Sequence, residues 1–318
     1  MRVRRRRFER QPQRQRHLSR PVISVGNLSV GGTGKSPVVA AIAQWLVDAG
    51  ERPSILSRGY ARRDAVDGVV VVSDGSAIRS TIDQSGDEPL MLARAVPRAV
   101  VCVSPERYLA GVLAESQLGC TVHILDDGFQ HLELARDLDV LVTTLGEIPN
   151  GKVIPAGRLR EPIDAAARAQ VLIVSDATAG AAAAEAWTLG ISQSCGALRT
   201  LDAPVAVGDQ GSGIGDQGGV LAVAGIAHPD RFVASLKTAG YNVVDSIAFK
   251  DHHRYTAGDV AAIHAKMQSC GATAVFTTDK DAVRFESLAR SFPLYRVPLR
   301  VEFDPADALL ASVKAVLR

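Results

Sequence analysis

The sequence has few cysteines, few aromatic residues and no long apolar run. Its 318 residues include four cysteines, and aromatic residues make up 5% of the chain. The cysteines lie far apart, without the short spacings of a zinc site, so we expect reduced thiols in a cytosolic protein and no disulfide framework. Because Gly, Asp or Arg interrupts every apolar stretch, none reaches the roughly 20 residues that a membrane-spanning helix needs.

Residues 1–20 form a basic arm that lacks the apolar segment of a secretion signal. The arm has nine arginines and one glutamate, a net charge of +8 in a chain whose total is +2. Phe8 is its one aromatic residue, which gives little support for base stacking on a nucleic acid. The arm is either a solvated tail or an attachment to a polyanion. As the polyanion we expect the anionic inner leaflet of a membrane, and no nucleic-acid partner.

The stretch at residues 21–37, PVISVGNLSVGGTGKSP, predicts a phosphate-binding loop between a strand and a helix. Its glycines let backbone N–H groups approach phosphate oxygens, and the helix N-terminus adds further donors. Lys35 would neutralise the outer phosphates and the Ser36 hydroxyl would ligate Mg²⁺. Ser29 departs from the usual P-loop glycine, and a tight turn without a ligand is the alternative. The residues expected to hold the nucleotide are Ser29, Val30, Gly31, Gly32, Thr33, Gly34, Lys35 and Ser36.

Strands alternate with helices along most of the chain, which predicts an α/β fold with a mostly parallel sheet and helices on both faces. We expect a P-loop NTPase-like domain over residues 21–207. Residues 176–218 lack apolar periodicity, and the glycine-rich stretch 208–219 is interpreted as a hinge. A smaller α/β lobe is expected over 220–318, with one strand at 294–303 and a terminal helix at 305–317.

Polar residues follow several predicted strands, where ligands sit in such sheets. Asp126 and Asp127 follow an apolar strand, as in a Walker B element, and paired carboxylates there can hold Mg²⁺. Their alternative role is capping of the following turn. Arg158 and Arg160 lie in a basic loop that is either solvated surface or a site for an anionic substrate group. The DHH stretch at 251–253 offers a histidine as proton acceptor, although such residues more often cap a turn or lie on the surface.

Seven stretches in this order resemble one family, the tetraacyldisaccharide 4′-kinases of lipopolysaccharide assembly. They are VISVGNLSVGGTGKSPVV, SRGY, GDEP, LDDGFQH with the following RDLDV, PAGRLREP, FKDHH and TDKDAV. The resemblance covers residues 21–285, and the combination of motifs is highly specific. The chain departs from the family in two places: the arginine-rich arm stands where an amphipathic N-terminal helix is usual, and Arg158 stands where proline is frequent.

The resemblance implies transfer of the ATP γ-phosphate to the 4′-hydroxyl of a tetraacylated glucosamine disaccharide 1-phosphate, the lipid substrate. It implies that Asp87 of the GDEP stretch takes the hydroxyl proton, oriented by His252 or by the adjacent His253. It also implies closure of the second lobe on the substrate. The residues implied on the phosphate, metal or substrate side are Lys35, Ser36, Asp126, Asp127, Gln130 and Glu161.

Three other functions compete with this interpretation. A P-loop switch ATPase would hydrolyse nucleotide without a lipid acceptor, but it leaves the GDEP and DHH stretches unexplained, and a guanine-reading N-K-x-D motif is missing. A metal phosphoesterase of the DHH type would need clustered metal-binding acids upstream and no P-loop. A nucleic-acid binder would use the basic arm and show salt-sensitive binding.

Overall fold

The computed structural model describes residues 14–60, 62–64, 67–148, 150–208, 218–286, 288 and 291–317. The chain divides into two compact units. Unit 1 comprises Met1–Arg199 and Val301–Arg318, and unit 2 is the intervening Thr200–Arg300. Among the described residues, no helix is both long enough and apolar enough to cross a membrane.

Unit 1 is built on a nine-stranded sheet in the order β14-β8-β7-β6-β1-β5-β2-β4-β3. Its elements up to residue 201 are β1 (Val22–Gly26), α1 (Lys35–Asp48), β2 (Pro53–Ser57), β3 (Val70–Asp74), α2 (Ile82–Ser85), α3 (Asp87–Ala95), β4 (Val100–Val103), α4 (Arg107–Ser116), β5 (Val122–Asp126), β6 (Leu138–Thr144), a 3₁₀-helix (Ile163–Arg168), β7 (Val171–Ser175), α5 (Ala179–Leu189) and β8 (Gln193–Leu201). β3 runs antiparallel to β4, whereas the pairs from β4 through β8 are parallel.

Apolar side chains cover both faces of this sheet, as the sequence predicts. On one face, the α4 residues Ala110 and Ala114 pack with Leu56 and Leu125 of the strands. On the same face, another cluster joins α5 and the 3₁₀-helix to β6 and β7, and it includes the fully buried Phe129. Strands buried on both faces are typical of parallel sheets, and all five residues of β1 are buried. The predicted parallel α/β sheet is confirmed.

Unit 2 has a five-stranded sheet in the order β11-β10-β12-β13-β9, with β9 antiparallel to β13. Its elements are β9 (Val205–Ala206), β10 (Val220–Ala224), α6 (Pro229–Thr238), β11 (Val243–Ala248), α7 (Ala257–Ser269), β12 (Ala274–Thr278), α8 (Asp279–Phe285) and β13 (Leu294–Val297). Apolar clusters on both faces give it a core of its own.

The domain boundaries differ from those expected from the sequence. The segment predicted as one strand at 294–303 is two strands, because Pro298 separates β13 from β14 (Leu299–Asp304). β14 belongs to the nine-stranded sheet, and α9 (Ala306–Ala315) follows it in unit 1. The second unit therefore ends at Arg300, well before the expected residue 318. It begins at Thr200, while most of the expected hinge, residues 209–217, lies outside the described residues.

The last residues of the basic arm lie along unit 1. The Arg16 backbone pairs with Glu133 and Ala135, and its guanidinium lies 3.3 Å from Glu106. Leu18 packs over Gly111 so closely that a Cβ there would collide with it. The arm's first 13 residues lie outside the described residues.

Candidate active site

The predicted phosphate-binding loop and the predicted acidic pair come from adjacent strands. β1 leads into the loop, and β5 ends in Asp126 and Asp127. The two strands are parallel neighbours, with Val25 opposite Asp126. Since parallel strands bring their carboxyl ends to one edge of a sheet, the loop and the two carboxylates meet there.

Glycine geometry shapes the loop at two positions. Gly31 has φ +117° and Gly34 has φ +89°, values that residues with a side chain rarely adopt. Gly34 precedes α1 in the left-handed conformation and no side chain caps the helix there. The first N–H groups of α1 are consequently available as donors to an anion, at the positive end of the helix dipole. Thr33 is buried below, where it accepts hydrogen bonds from Asn27 and Ser175.

Two cations hold the Asp127 carboxylate beside the loop. Lys35 Nζ lies 3.5 Å from Asp127 Oδ1, and the Arg160 guanidinium binds both carboxylate oxygens at 2.9 and 3.0 Å. Burial alone would raise the Asp127 pKa, but the two cations outweigh it and lower the pKa below its usual range. Asp127 is thus an anion that the loop lysine already contacts.

Arg160 connects the loop, the acidic pair and the segment after β5. Besides Asp127, its guanidinium donates to the Asn27 side chain at 2.5 Å, to the Ser29 carbonyl at 3.1 Å and to Gln130 at 3.1 Å. Gln130 in turn donates to the Asn27 carbonyl at 2.9 Å. The sequence left Arg160 as either a solvated surface residue or a site for an anionic substrate group, whereas in the structure its guanidinium binds groups of the protein that fix the loop.

Arg158 also binds the loop. Its guanidinium donates to the Val30 carbonyl at 2.6 and 3.2 Å, and the Val30 N–H returns a bond to the Arg158 carbonyl at 2.9 Å. The Arg158 side chain therefore supports the exposed outer part of the loop at Val30.

Asp126 is buried and surrounded by negative charge. Burial, together with the nearby Glu88 and Asp127 carboxylates, raises its pKa to about 7, against the opposing effects of Lys35 and a hydrogen bond from Ser57. These three carboxylates near the end of β5 repel one another, and a divalent cation bound there would reduce the repulsion.

The donor set fits Mg²⁺ bound partly by substrate phosphates. Across the described ranges, no three His, Cys, Asp or Glu side chains are grouped to enclose a metal by themselves. Mg²⁺ typically takes one or two carboxylates, completing its octahedron with phosphate oxygens and water. Ser36, Asp126 and Asp127 can supply such oxygens. Glu161, the fourth predicted ligand, is buried and binds Arg168 with both oxygens at 3.1 Å, so a metal there would share those oxygens with the guanidinium.

Asp87, the predicted base, is the first residue of α3 and is buried. Its Oδ1 accepts the Glu88 backbone N–H at 2.9 Å. Gly86 before it has φ +89°, and a Cβ there would lie 2.7 Å from the Tyr60 carbonyl. The GDEP and SRGY stretches therefore pack against each other, and Glu88 of the GDEP stretch is close enough for its charge to raise the pKa of Asp126.

Arg107 and Asn27 belong to this site but were not predicted. Arg107 is buried, and its Nε has no hydrogen-bond partner among the described residues. Burial and the neighbouring Arg58 lower its pKa to about 10, while Asp127 and Asp126 oppose the shift. A buried arginine at the start of an amphipathic helix gives no sequence signal, because such residues are usually solvated. Asn27 lies inside a quoted motif, yet its amide is a common turn residue.

In unit 2 the two adjacent histidines have different surroundings. His253 stacks on Phe249 with ring centroids 4.5 Å apart and lies 3.2 Å from Asp259, the carboxylate that caps α7. His252 adopts φ +59°, a left-handed conformation unusual for a histidine, and its Nε2 lies 3.3 Å from Lys280 Nζ. His253 is thus part of the packing of its loop, and His252 projects from a strained turn.

One family matches the whole chain. Its description is tetraacyldisaccharide-1-P 4′-kinase, and the match extends over residues 1–318. Curated proteins named tetraacyldisaccharide 4′-kinase are also similar. The one from Geobacter sulfurreducens is 40% identical over 309 residues, which cover 95% of this chain and 85% of the relative. The one from Pelobacter propionicus is 40% identical over 298 residues, which cover 92% and 81%.

A solved structure has a similar fold. It is LpxK from Aquifex aeolicus in complex with ATP, which is 27% identical in sequence with a TM-score of 0.80. The similarity covers 99% of this chain and 94% of that protein.

Proposed function

Because the chain belongs to the tetraacyldisaccharide 4′-kinase family, we propose that it transfers the γ-phosphate of ATP to the 4′-hydroxyl of tetraacyldisaccharide 1-phosphate. It is an ATP-dependent phosphotransferase of lipid A biosynthesis. The P–O bond to the β-phosphate breaks, the bond from the sugar oxygen to phosphorus forms, and the hydroxyl proton leaves to a base. ADP and the 4′-phosphorylated lipid are the products.

One observation in this chain carries the proposal: the Lys35 ammonium at the start of α1 faces the Asp127 carboxylate across 3.5 Å, with Asp126 adjacent. A cation and an acid at the carboxyl ends of neighbouring strands are the arrangement that positions a nucleotide and its metal. Loop residues 29–36 would hold the phosphates. Lys35 would neutralise charge that develops on the oxygens of the transferred group.

Ser36, Asp126 and Asp127 would hold Mg²⁺ together with the ATP phosphates, and when bound it supplies positive charge to the phosphate oxygens. Glu161 supports this region through Arg168, whose guanidinium lies over the Phe129 ring at 4.5 Å. A direct metal bond from Glu161 stays a prediction.

Asp87 is proposed as the base that accepts the proton of the sugar hydroxyl, assisted by His252. Asp87 is buried at the first position of α3, and the neighbouring Glu88 is one of the charges that raise the pKa of Asp126. His253 is the less suitable of the two histidines, because its ring stacks on Phe249 and lies 3.2 Å from Asp259 within the packing of its own loop. Asp87 belongs to unit 1 and His252 to unit 2.

We further propose that the protein acts at the cytoplasmic face of the inner membrane as a peripheral protein. The lipid substrate carries acyl chains that are buried in a bilayer, and the arginine arm has a charge complementary to anionic headgroups. A nucleic acid is not proposed as a partner.

The function is tested with γ-labelled ATP, Mg²⁺ and the tetraacyldisaccharide 1-phosphate in mixed micelles. We expect wild type to label the lipid and Asp87→Asn to reduce the rate by about 10²- to 10⁴-fold, because a positioned base contributes that much. Asp48→Asn, at the exposed end of α1, is the control that removes a carboxylate elsewhere.

Equal labelling of the lipid by wild type and Asp87→Asn would support the kinase function but exclude Asp87 as its base. ATP hydrolysis without any labelled lipid would contradict the kinase and favour the switch ATPase.

A further inference from the structure

A lysine of the TDKD stretch lies within hydrogen-bond distance of the His252 ring. Lys280, the second residue of α8, places its Nζ 3.3 Å from His252 Nε2 and 3.5 Å from Asp251 Oδ1. Both the lysine and the histidine are largely shielded, with side-chain exposures of 17% and 27%. The established family chemistry does not account for this contact.

The chemistry of the contact determines which ring nitrogen carries the proton. A lysine ammonium has three donors and no acceptor, so His252 Nε2 must accept. The ring is then neutral with its hydrogen on Nδ1. Asp251 does not compete for Nε2, since its Oδ2 lies 3.8 Å away while its Oδ1 accepts the His252 backbone N–H at 3.0 Å.

We propose that Lys280 is a positioning residue that fixes His252 as the Nδ1–H tautomer. The inference rests on the proposed function, in which His252 assists Asp87. It makes His252 a donor through Nδ1–H, so that the ring orients a carboxylate by a hydrogen bond. The hydroxyl proton goes to the Asp87 carboxylate, and the imidazole keeps the proton it already has.

One buried carboxylate holds both sides of the contact in place. Asp281, adjacent to Lys280, accepts hydrogen bonds from the Thr278 hydroxyl at 2.7 Å and from the Gly225 N–H at 3.0 Å. It also accepts the Tyr255 hydroxyl at 3.1 Å, and Tyr255 follows His252 by three residues. The start of α8 and the histidine loop are therefore tied to the same group, which sets the distance between lysine and imidazole.

The proposal is tested first by the NMR signature of the ring. In the full-length protein with ¹⁵N-labelled histidine, at about pH 8 where an ordinary histidine is neutral, long-range ¹H–¹⁵N spectra distinguish the two tautomers. The His252→Gln variant assigns the signal. We expect the Nδ1–H form in wild type and a shift toward the Nε2–H form in Lys280→Met. Wild type with the hydrogen on Nε2 overturns the proposal, as does an unchanged tautomer in Lys280→Met.

Kinetics in mixed micelles supply the second readout. We expect Lys280→Met to lower kcat by about 10- to 100-fold, the effect of one charge-assisted hydrogen bond, with the KM for ATP little changed. Lys280→Arg keeps a cationic donor and should restore the tautomer and part of kcat. Lys266→Met is the matched control. Lys266 pairs with Asp245, and neither residue belongs to the TDKD or DHH stretch.

The two readouts separate this inference from the proposed function. If His252→Gln keeps full kinase activity, the catalytic role of the histidine fails, whereas the ring spectra still decide the tautomer. If His252→Gln is inactive and Lys280→Met retains wild-type kcat, the positioning role of Lys280 is refuted. If Lys280→Met does not fold, the wild-type spectrum alone supports or overturns the assignment.

Discussion

Arg160 is the side chain whose loss should most clearly change nucleotide binding without touching the nucleotide-binding loop's own sequence. Its guanidinium makes two hydrogen bonds to Asp127 and one each to Asn27, Gln130 and the Ser29 carbonyl. In Arg160→Met, Asp127 keeps its contact with the Lys35 ammonium. The carboxylate then holds the lysine more strongly, and Lys35 must leave it to meet the ATP phosphates.

The magnitude follows from the distances and the exposure. Two unit charges about 3.5 Å apart interact by roughly 1 kcal/mol in water and about 5 kcal/mol near a protein surface. Because the Asp127 side chain is 43% exposed, solvent screening places the effect nearer the lower value, at about 1–2 kcal/mol. That corresponds to a rise of about 5- to 30-fold in the dissociation constant for ATP.

Titration calorimetry with a non-hydrolysable ATP analogue and Mg²⁺ measures this change directly. Arg158→Met is the comparison within the same loop: it removes the same charge but breaks bonds to one carbonyl, that of Val30. We expect it to weaken binding by less than about 3-fold. Equal effects of the two variants, or an Arg160→Met variant that folds and binds ATP as wild type does, would refute the role assigned to Arg160.

Two further predictions concern the arm and the core. Deleting residues 2–13, which contain six of the arm's nine arginines, should weaken binding to anionic liposomes, and added salt should mimic the deletion; equal binding of both proteins would contradict it. Burial lowers the pKa of His123, against the opposing hydrogen bond to Glu115, so the unfolded chain takes up a proton near pH ~6.5 while the native ring stays neutral. Urea unfolding should therefore show a free energy that falls between about pH 7 and pH 5, and falls less in His123→Asn; parallel pH profiles would argue against this.

The motifs could be placed from the sequence because each lies where a strand ends. Lys35 follows β1 and Asp126 ends β5, and the parallel alternation of strands and helices is enough to bring these ends together. The partners of Asp127 could not be predicted in the same way. Arg160 lies 33 residues further along the chain, and a cation in a loop rich in glycine and proline is typical of solvated surface until the fold places it against a carboxylate.

Two errors in the secondary structure have physical causes. Six of the eleven residues of α5 are alanine, so its buried face, with Ala182 and Ala186, has little polar contrast that would reveal a helical period. The segment at 294–303 reads as one apolar strand, yet Pro298 cannot donate a ladder hydrogen bond, and the chain passes there from one sheet to the other.

The return of β14 to the nine-stranded sheet has a consequence for the order in which the protein is made. On the ribosome, all of unit 2 emerges before the strand that covers β8, because β14 and α9 are translated last. Until then β8 is the exposed edge of the large sheet, with backbone donors and acceptors open to pairing with another chain. Because the smaller unit is contiguous in sequence, it can fold before β14 has been added to the sheet of the larger unit.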